Sequence, residues 1–289
     1  MYLRPSQRSS MKIHTINTGF FKLDGGAMFG VVPKSIWNSL NPADDNNMCT
    51  WAMRCMLVET GNRLILIDNG IGNKQSEKFF SHYYLHGEDS LHRSLKSAGF
   101  HADDITDVFL THLHFDHCGG SVERKADGSF QTAFRNARYW SNADHWKWAT
   151  QPNAREKASF LTENILPIQE SGQLSFVSEG TSPDDCMEIL FMRGHTDAMM
   201  IPLVQYKGRK IAFMADLIPS VAHLPAPYVM AYDTRPLLTL DEKALFLKRA
   251  QEENWILYFE HDPAVECCTL KQTDRGIRAD EVFSLSSLG

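Results

Sequence analysis

The chain has 289 residues, and its 29 Lys and Arg against 35 Asp and Glu leave a net charge of −6. That balance argues against a general nucleic-acid binder, which carries a basic surface. With 43% hydrophobic and 22% charged residues, the composition is globular and excludes disorder, collagen and coiled coil as whole-chain descriptions.

No apolar run approaches the roughly 18–20 residues that a membrane-spanning helix needs. The opening MYLRPSQRSS has no apolar stretch behind its arginines, so a secretory leader is not expected and a cytoplasmic protein is. Residues 1–11 read as a flexible extension, and 12–18 (KIHTINT) as a strand. Residues 19–48 read as a long irregular excursion, with Gly25, Gly26, Pro33, Pro42 and the polar cluster Asp44–Asn47. Runs 50–59 and 63–68, separated by Thr60-Gly61-Asn62, give a hairpin signal. Leu91, Leu95 and Ala98 at i, i+4, i+7, followed by Gly99, predict a helix over 89–98. A strand over 106–110 runs straight into THLHFDHCGG. Helices are expected at 142–149 and 154–165, the second ending before Pro167. Strands follow at 174–178, 186–193, 200–206 and 210–215, the last two joined by Lys207-Gly208. Thr239-x-x-Glu242 predicts a capping box opening a helix to about Asn254. The last strong strand, 255–260, ends at His261.

The six cysteines, Cys49, Cys55, Cys118, Cys186, Cys267 and Cys268, form no C-x-x-C pair and read as free thiols. The histidines carry more information. In His112-x-His114-x-Asp116-His117, an extended start places His112 and His114 on one side, because side chains alternate with period two. Asp116 and His117 follow where Gly119 and Gly120 let the chain turn, and can aim at a second position nearby. Imidazole and carboxylate are the usual ligands of a zinc-like ion. His195, Asp216 and His261 each end a predicted strand and complete a coordination set. An acid after an apolar run such as IAFMA needs a partner or exposure.

In order and spacing, HLHFDH, then Gly194-His195-Thr196, Ala215-Asp216 and a strand-end His resemble the metallo-β-lactamase-fold superfamily of metallohydrolases. The resemblance spans about residues 12–262 and implies an α/β fold, a four-layer αββα sandwich, as one domain over 1–289. It implies one metal site at His112, His114 and His195 and a second at Asp116, His117 and His261, with Asp216 bridging them. Asp68, in Ile67-Asp68-Asn69-Gly70 where the family has Asp-Thr-Gly, would orient the ligand loop. The nearest resemblance is to the N-acyl-homoserine lactonase and methyl parathion hydrolase branch, through Ala215-Asp216-Leu217-Ile218 and the helix from Thr239. Those lactonases place a Tyr three residues after the bridging Asp. Here that position is Pro219, so the role is either vacant or filled by another residue; His223 and Tyr228 are the candidates, although packing or loop roles are expected first for both. Phe115, with Met28, Phe29 and Trp37 of the loop, is expected to wall an apolar pocket.

Two divalent ions, zinc by expectation, about 3.5–4 Å apart hold a hydroxide between them near neutral pH. Asp116 and Asp216 are then the catalytic carboxylates, Asp216 taking the proton. The expected reaction is hydrolysis of a lactone, ester or phosphotriester, with a quorum-quenching-type lactonase first. The alternatives are a metal-dependent oxidoreductase on the same fold and a glyoxalase II-like thioesterase, although the latter adds a larger C-terminal part. The expected partner is a small-molecule substrate, without nucleic acid or membrane, and a homodimer is left open.

Overall fold

The computed structural model describes residues 11–288, so residues 1–10 of the expected extension lie outside the described residues. Met11 already packs against the core. Strand β1 (Lys12–Asp24) runs six residues further than the sequence suggests. Its pairing with β2 (Met48–Thr60) shifts register between Asn17 and Phe20, around Gly19 at φ 104°. Gly19 therefore marks a bulge inside the strand. Short helices α1 (Gly25–Phe29) and α2 (Lys34–Trp37) occupy much of the expected loop. There follow β3 (Arg63–Ile67), α3 (Glu77–Ser81), α4 (Leu91–Ser97), β4 (Asp107–Phe109) and the single-turn α5 (Phe115–Cys118). A small hairpin, β5 (Val122–Arg124) and β6 (Phe130–Thr132), precedes β7 (Arg138–Ser141), α6 (Ala143–Thr150), α7 (Thr162–Glu170) and β8 (Leu174–Phe176). The second half carries β9 (Met187–Met192), β10 (Met199–Tyr206), β11 (Arg209–Phe213), α8 (Pro236–Glu252), β12 (Ile256–Tyr258), β13 (Cys267–Thr273) and β14 (Gly276–Phe283).

Two six-stranded sheets result, ordered β1-β2-β3-β4-β7-β8 and β14-β13-β12-β11-β10-β9. Alternation of side chains decides how they stack. Met56, Val58, Ile65, Ile67 and Phe109 face the second sheet, where Ile201, Leu203, Ile211 and Phe213 meet them. Cys55, Leu57, Leu66 and Val108 face the other way, onto Leu91 and Leu95 of α4, Trp146 of α6 and Ile165 and Ile168 of α7. Phe246, Leu247 and Ala250 join α8 to the core at the second sheet. The result is the four-layer αββα sandwich. All six cysteines are free. No helix of the described residues is long and apolar enough to cross a membrane.

Three expectations need correction. The helix expected at 154–165 starts at Thr162 and continues through Pro167, because burying Ile165 and Ile168 outweighs the one backbone bond that proline forfeits. Residues past His261 form β13 and β14, which complete the second sheet; their polar, half-exposed alternation hid them. Finally, α8 begins at Pro236, whose fixed φ suits the first helical turn. Glu242 does not cap it. Instead its carboxylate accepts the backbone N–H of Arg193 (2.7 Å) and of Gly194 (3.0 Å), one residue before His195. Gly194 also needs its missing side chain: a Cβ there would sit 2.4 Å from the Thr239 nitrogen.

Glu242 thus anchors the loop that follows β9 to α8. Glu242→Ala leaves two backbone donors without their acceptor and is expected to destabilise the fold by about 1–3 kcal/mol in chemical denaturation. Unchanged stability would show that the two bonds are dispensable.

Candidate metal centre

Five strands of the two sheets, β3, β4, β9, β11 and β12, deliver their following loops to one edge of the sandwich. These loops carry Asp68, His112 to His117, His195, Asp216 and His261 in turn. The β4 loop is pressed against the segment after β3. A Cβ on Gly119 would lie 2.1 Å from the Ile71 carbonyl oxygen, and one on Gly120 would lie 2.3 Å from that of Asn69. Both glycines are required by this close approach, beyond the turn itself.

All seven sequence-predicted ligands converge. His112, His114, His195 and Asp216 bring one ligand atom each within 4.8 Å of the others, and so do Asp116, His117 and His261. His112 Nε2 is 3.1 Å from His114 Nδ1, which is 3.2 Å from His195 Nε2. In the other set His117 Nε2 and His261 Nε2 are 3.1 Å apart, and Asp116 Oδ2 lies 3.8 Å from each. Asp216 stands between the sets. Its Oδ2 is 3.1 Å from His195 Nε2 and 3.5 Å from His117 Nε2, and its Oδ1 is 3.1 Å from His261 Nε2.

The outward nitrogens explain why these rings face inward with lone pairs. His195 Nδ1 donates to Asp233 Oδ1 at 2.7 Å, and His261 Nδ1 donates to the Ala52 carbonyl of β2 at 2.7 Å. The Thr111 hydroxyl donates to Asp68 Oδ2 at 2.6 Å and accepts from His112 Nδ1 at 3.1 Å. His117 Nδ1 faces Asp68 Oδ2 at 3.1 Å and Glu260 Oε2 at 3.0 Å. His114 Nε2 lies 3.5 Å from Glu156 Oε1. A ring whose outer nitrogen holds the proton presents an unprotonated nitrogen inward, the form that binds a cation. Asp216 Oδ1 is buried with no hydrogen-bond donor. Converging ring nitrogens and a carboxylate oxygen without a hydrogen-bond donor fit divalent cations.

The groups also shift one another. Burial opposes charge on every ring, yet Asp216 and Asp233 lift His195 to about 10, and Asp216 lifts His261 to about 8. His117 rises well above its ordinary value, since Glu260, Asp216 and Asp116 overcome its burial. His112 is held well below by burial and by the neighbouring imidazoles of His117 and His114. Asp216, though buried, stays far below the usual carboxylate range because His117, His195 and His261 face it. Glu260 is pushed by burial up to about 8. Protons and cations therefore compete for the same inward atoms.

Asp68 is tied to the ligand loop: its Oδ1 accepts the Thr111 N–H at 2.8 Å and its Oδ2 the Thr111 hydroxyl, beside His117. Glu156, Asp233 and Glu260 are buried acids that the sequence reading missed. Glu260 alone carried a signal, as an acid closing an apolar strand. His145 is a further buried imidazole, but it serves structure. Its Nε2 accepts the Leu113 N–H at 2.8 Å and its Nδ1 donates to the Asp197 carbonyl at 2.6 Å, and burial takes it down to about 4.

Above the ligands opens a cavity of about 250 Å³, reached by His114, Asp116, His195, Asp216 and His261. Phe115 and Met28 line it as expected, together with Leu23, Met230, Arg155 and Tyr232. Phe29, His223 and Tyr228 do not line it. His223 is fully buried and stacks on Phe29 with ring centres 4.7 Å apart. Its Nδ1 contacts Ser220 Oγ at 2.7 Å, its Nε2 donates to the Met28 carbonyl at 2.9 Å, and burial lowers it to about 3. Tyr228 packs edge-on to Phe29. These rings support the wall from behind. The tyrosine that lines the cavity is Tyr232, four residues beyond Tyr228, and burial, with Tyr83, Asp24, Asp116 and Asp216 nearby, raises its pKa.

The sequence profile of the Metallo-beta-lactamase superfamily matches residues 54–261. N-acyl homoserine lactonases of Bacillus thuringiensis are 32% identical over 97 residues, which cover 30% of this chain and 38% of theirs. The chain thus spans well under half the length of the curated relatives that it matches. A probable metal-dependent hydrolase from Staphylococcus aureus superposes with TM-score 0.86 at 28% identity, over 96% of this chain and 98% of that one. AidC, a dizinc quorum-quenching lactonase in complex with a product, shares the fold with TM-score 0.76 at 22% identity, over 96% of this chain and 97% of its own. With the profile covering most of its length, and with the ligand-bearing loops at one edge of an αββα sandwich, the chain belongs to the metallo-β-lactamase superfamily.

Proposed function

We propose that the chain is a hydrolase dependent on two divalent cations, zinc first among them, and that it opens a lactone or cleaves an ester, with phosphotriesters as a third substrate class. The observation that carries this reading is the position of Asp216, one carboxylate within 3.5 Å of imidazole nitrogens from both ligand sets. His112, His114 and His195 would hold one cation, Asp116, His117 and His261 the other, with Asp216 shared. When bound, such cations polarise a carbonyl or phosphoryl oxygen and bring the pKa of water towards about 7. The remaining steps belong to the chain. Asp116 and Asp216 line the cavity and can accept the proton of the attacking water on a carboxylate oxygen. Tyr232 offers its phenol O–H to the substrate carbonyl, the role that Pro219 leaves open. Leu23, Met28, Phe115 and Met230 bury the apolar part of the substrate. The neighbouring lactonases favour the lactone over the other two classes.

Elemental analysis of the zinc-reconstituted protein should give close to two ions per chain. His195→Ala should lose mainly one ion and His261→Ala mainly the other, because each belongs to a different set. A steady value of one ion that His261→Ala does not change would contradict the two-cation reading.

Kinetics offer a second check, read at matched metal content. Lactones or aryl esters should show higher kcat/KM than any penicillin or cephalosporin. Asp216→Asn should lower kcat by more than about a hundredfold. Tyr232→Phe should lower it by about tenfold or more, since a lost preorganised donor costs up to about 10²–10³. Tyr228→Phe and His223→Ala should each stay within about tenfold. A loss in Tyr228→Phe as large as that in Asp216→Asn would refute the assignment of Tyr232.

A further inference from the structure

Besides Glu156, which stands beside His114, one charged side chain on the cavity wall is used by neither ligand set. Arg155 sits at the exposed rim, and its Nη2 donates to the carbonyl oxygens of Ala231 and of Asp233, the latter at 3.1 Å. Those two carbonyls bracket Tyr232, so guanidinium and phenol share one wall. Among the described residues, no carboxylate comes within 4.0 Å of the Arg155 guanidinium, and its Nε and Nη1 donate to no protein acceptor. The adjacent acid cannot serve. Glu156 is turned inward, with Oε2 accepting from Trp148 Nε1 and Asn153 Nδ2 (both 2.7 Å) and Oε1 beside His114. Arg193, Arg235 and Arg249, by contrast, each meet a carboxylate.

We infer that Arg155 is a specificity-determining residue that docks a carboxylate on the substrate, so that the preferred ester or lactone is negatively charged at the end remote from the bond cleaved. The inference rests on the hydrolase reading and names its substrate class. A guanidinium with a free edge matches a carboxylate in shape and charge, and the resulting bonds are about twice as strong as neutral ones. A neutral carbonyl accepts fewer and weaker bonds from that edge. The cavity, about 250 Å³, falls below the roughly 300–1,000 Å³ of typical ligand sites. A small substrate can therefore touch Arg155 with one end while its reacting carbonyl lies over the ligand cluster.

The test compares 4-nitrophenyl hydrogen adipate with its methyl ester, which is neutral and otherwise alike. Zinc-loaded wild-type protein should favour the charged ester by about tenfold or more in kcat/KM, and in Arg155→Gln the ratio should fall to about one. A role confined to holding the Tyr232 loop would lower both esters together and leave the ratio standing, which would overturn the inference. Calorimetry on wild-type protein supplies a readout that needs no variant and no turnover. Adipate should bind about tenfold or more tightly than methyl hydrogen adipate, and equal affinities would overturn the inference. Failure to hydrolyse either ester would count against the hydrolase reading, while the calorimetric comparison would still decide the role of Arg155.

Discussion

Ring nitrogens crowd to 3.1–3.2 Å in two neighbouring clusters, where a proton or a cation must lie between them. Here the outward faces of four rings meet acceptors: Asp233 for His195, the Ala52 carbonyl for His261, Thr111 with Asp68 behind it for His112, and Asp68 for His117; Glu260 stands beside His117, and Glu156 lies 3.5 Å from His114. These contacts fix how each ring is turned. They also spread the site through the whole sandwich. Ala52 belongs to the first sheet while His261 follows the second, so that one bond fastens the two layers at the active edge. Asp233 comes from the loop before α8, and Glu242 of α8 returns to hold the backbone ahead of His195.

The backbone shows the same dependence. Asp68 and Ala215 adopt positive φ, 54° and 40°, although neither is glycine. One orients the ligand loop and the other immediately precedes the bridging carboxylate. Strain of this kind persists only where surroundings over-determine the geometry. Asp68 is held by two bonds to Thr111, and the Ala215–Asp216 turn by the Met214 N–H on the Tyr258 carbonyl (2.9 Å) and the Leu217 N–H on the Met214 carbonyl (3.2 Å). Gly119 and Gly120 permit the tight packing that brings Asp68 and the His112–His117 loop together.

Much of this was readable in the residues. The H-x-H-x-D-H run and three strand-end ligands name the cluster, because a metal needs few residue types at close spacing. The hairpin turns at Gly61 and at Lys207-Gly208 were equally plain. What escaped was whatever depended on tertiary partners. Glu156 sits among charged neighbours in NAREKASF and Asp233 in a polar turn, and only the fold aims them at His114 and His195. Gly19 marks a bulge as readily as a strand end. Glu242 matched a capping pattern but found two backbone donors elsewhere. Tyr228 and Tyr232 lie on one loop, and the choice between them depends on which face of that loop meets the cavity.

In the two-cation reading, Asp216 joins two sites built from these seven side chains. Crystallographic anomalous scattering at the zinc absorption edge tests it most directly. Two peaks are predicted, one among His112, His114 and His195 and one among Asp116, His117 and His261, each in contact with Asp216. A single peak, or a peak among Asp68, His117 and Glu260, whose ligand atoms also cluster, would contradict the account.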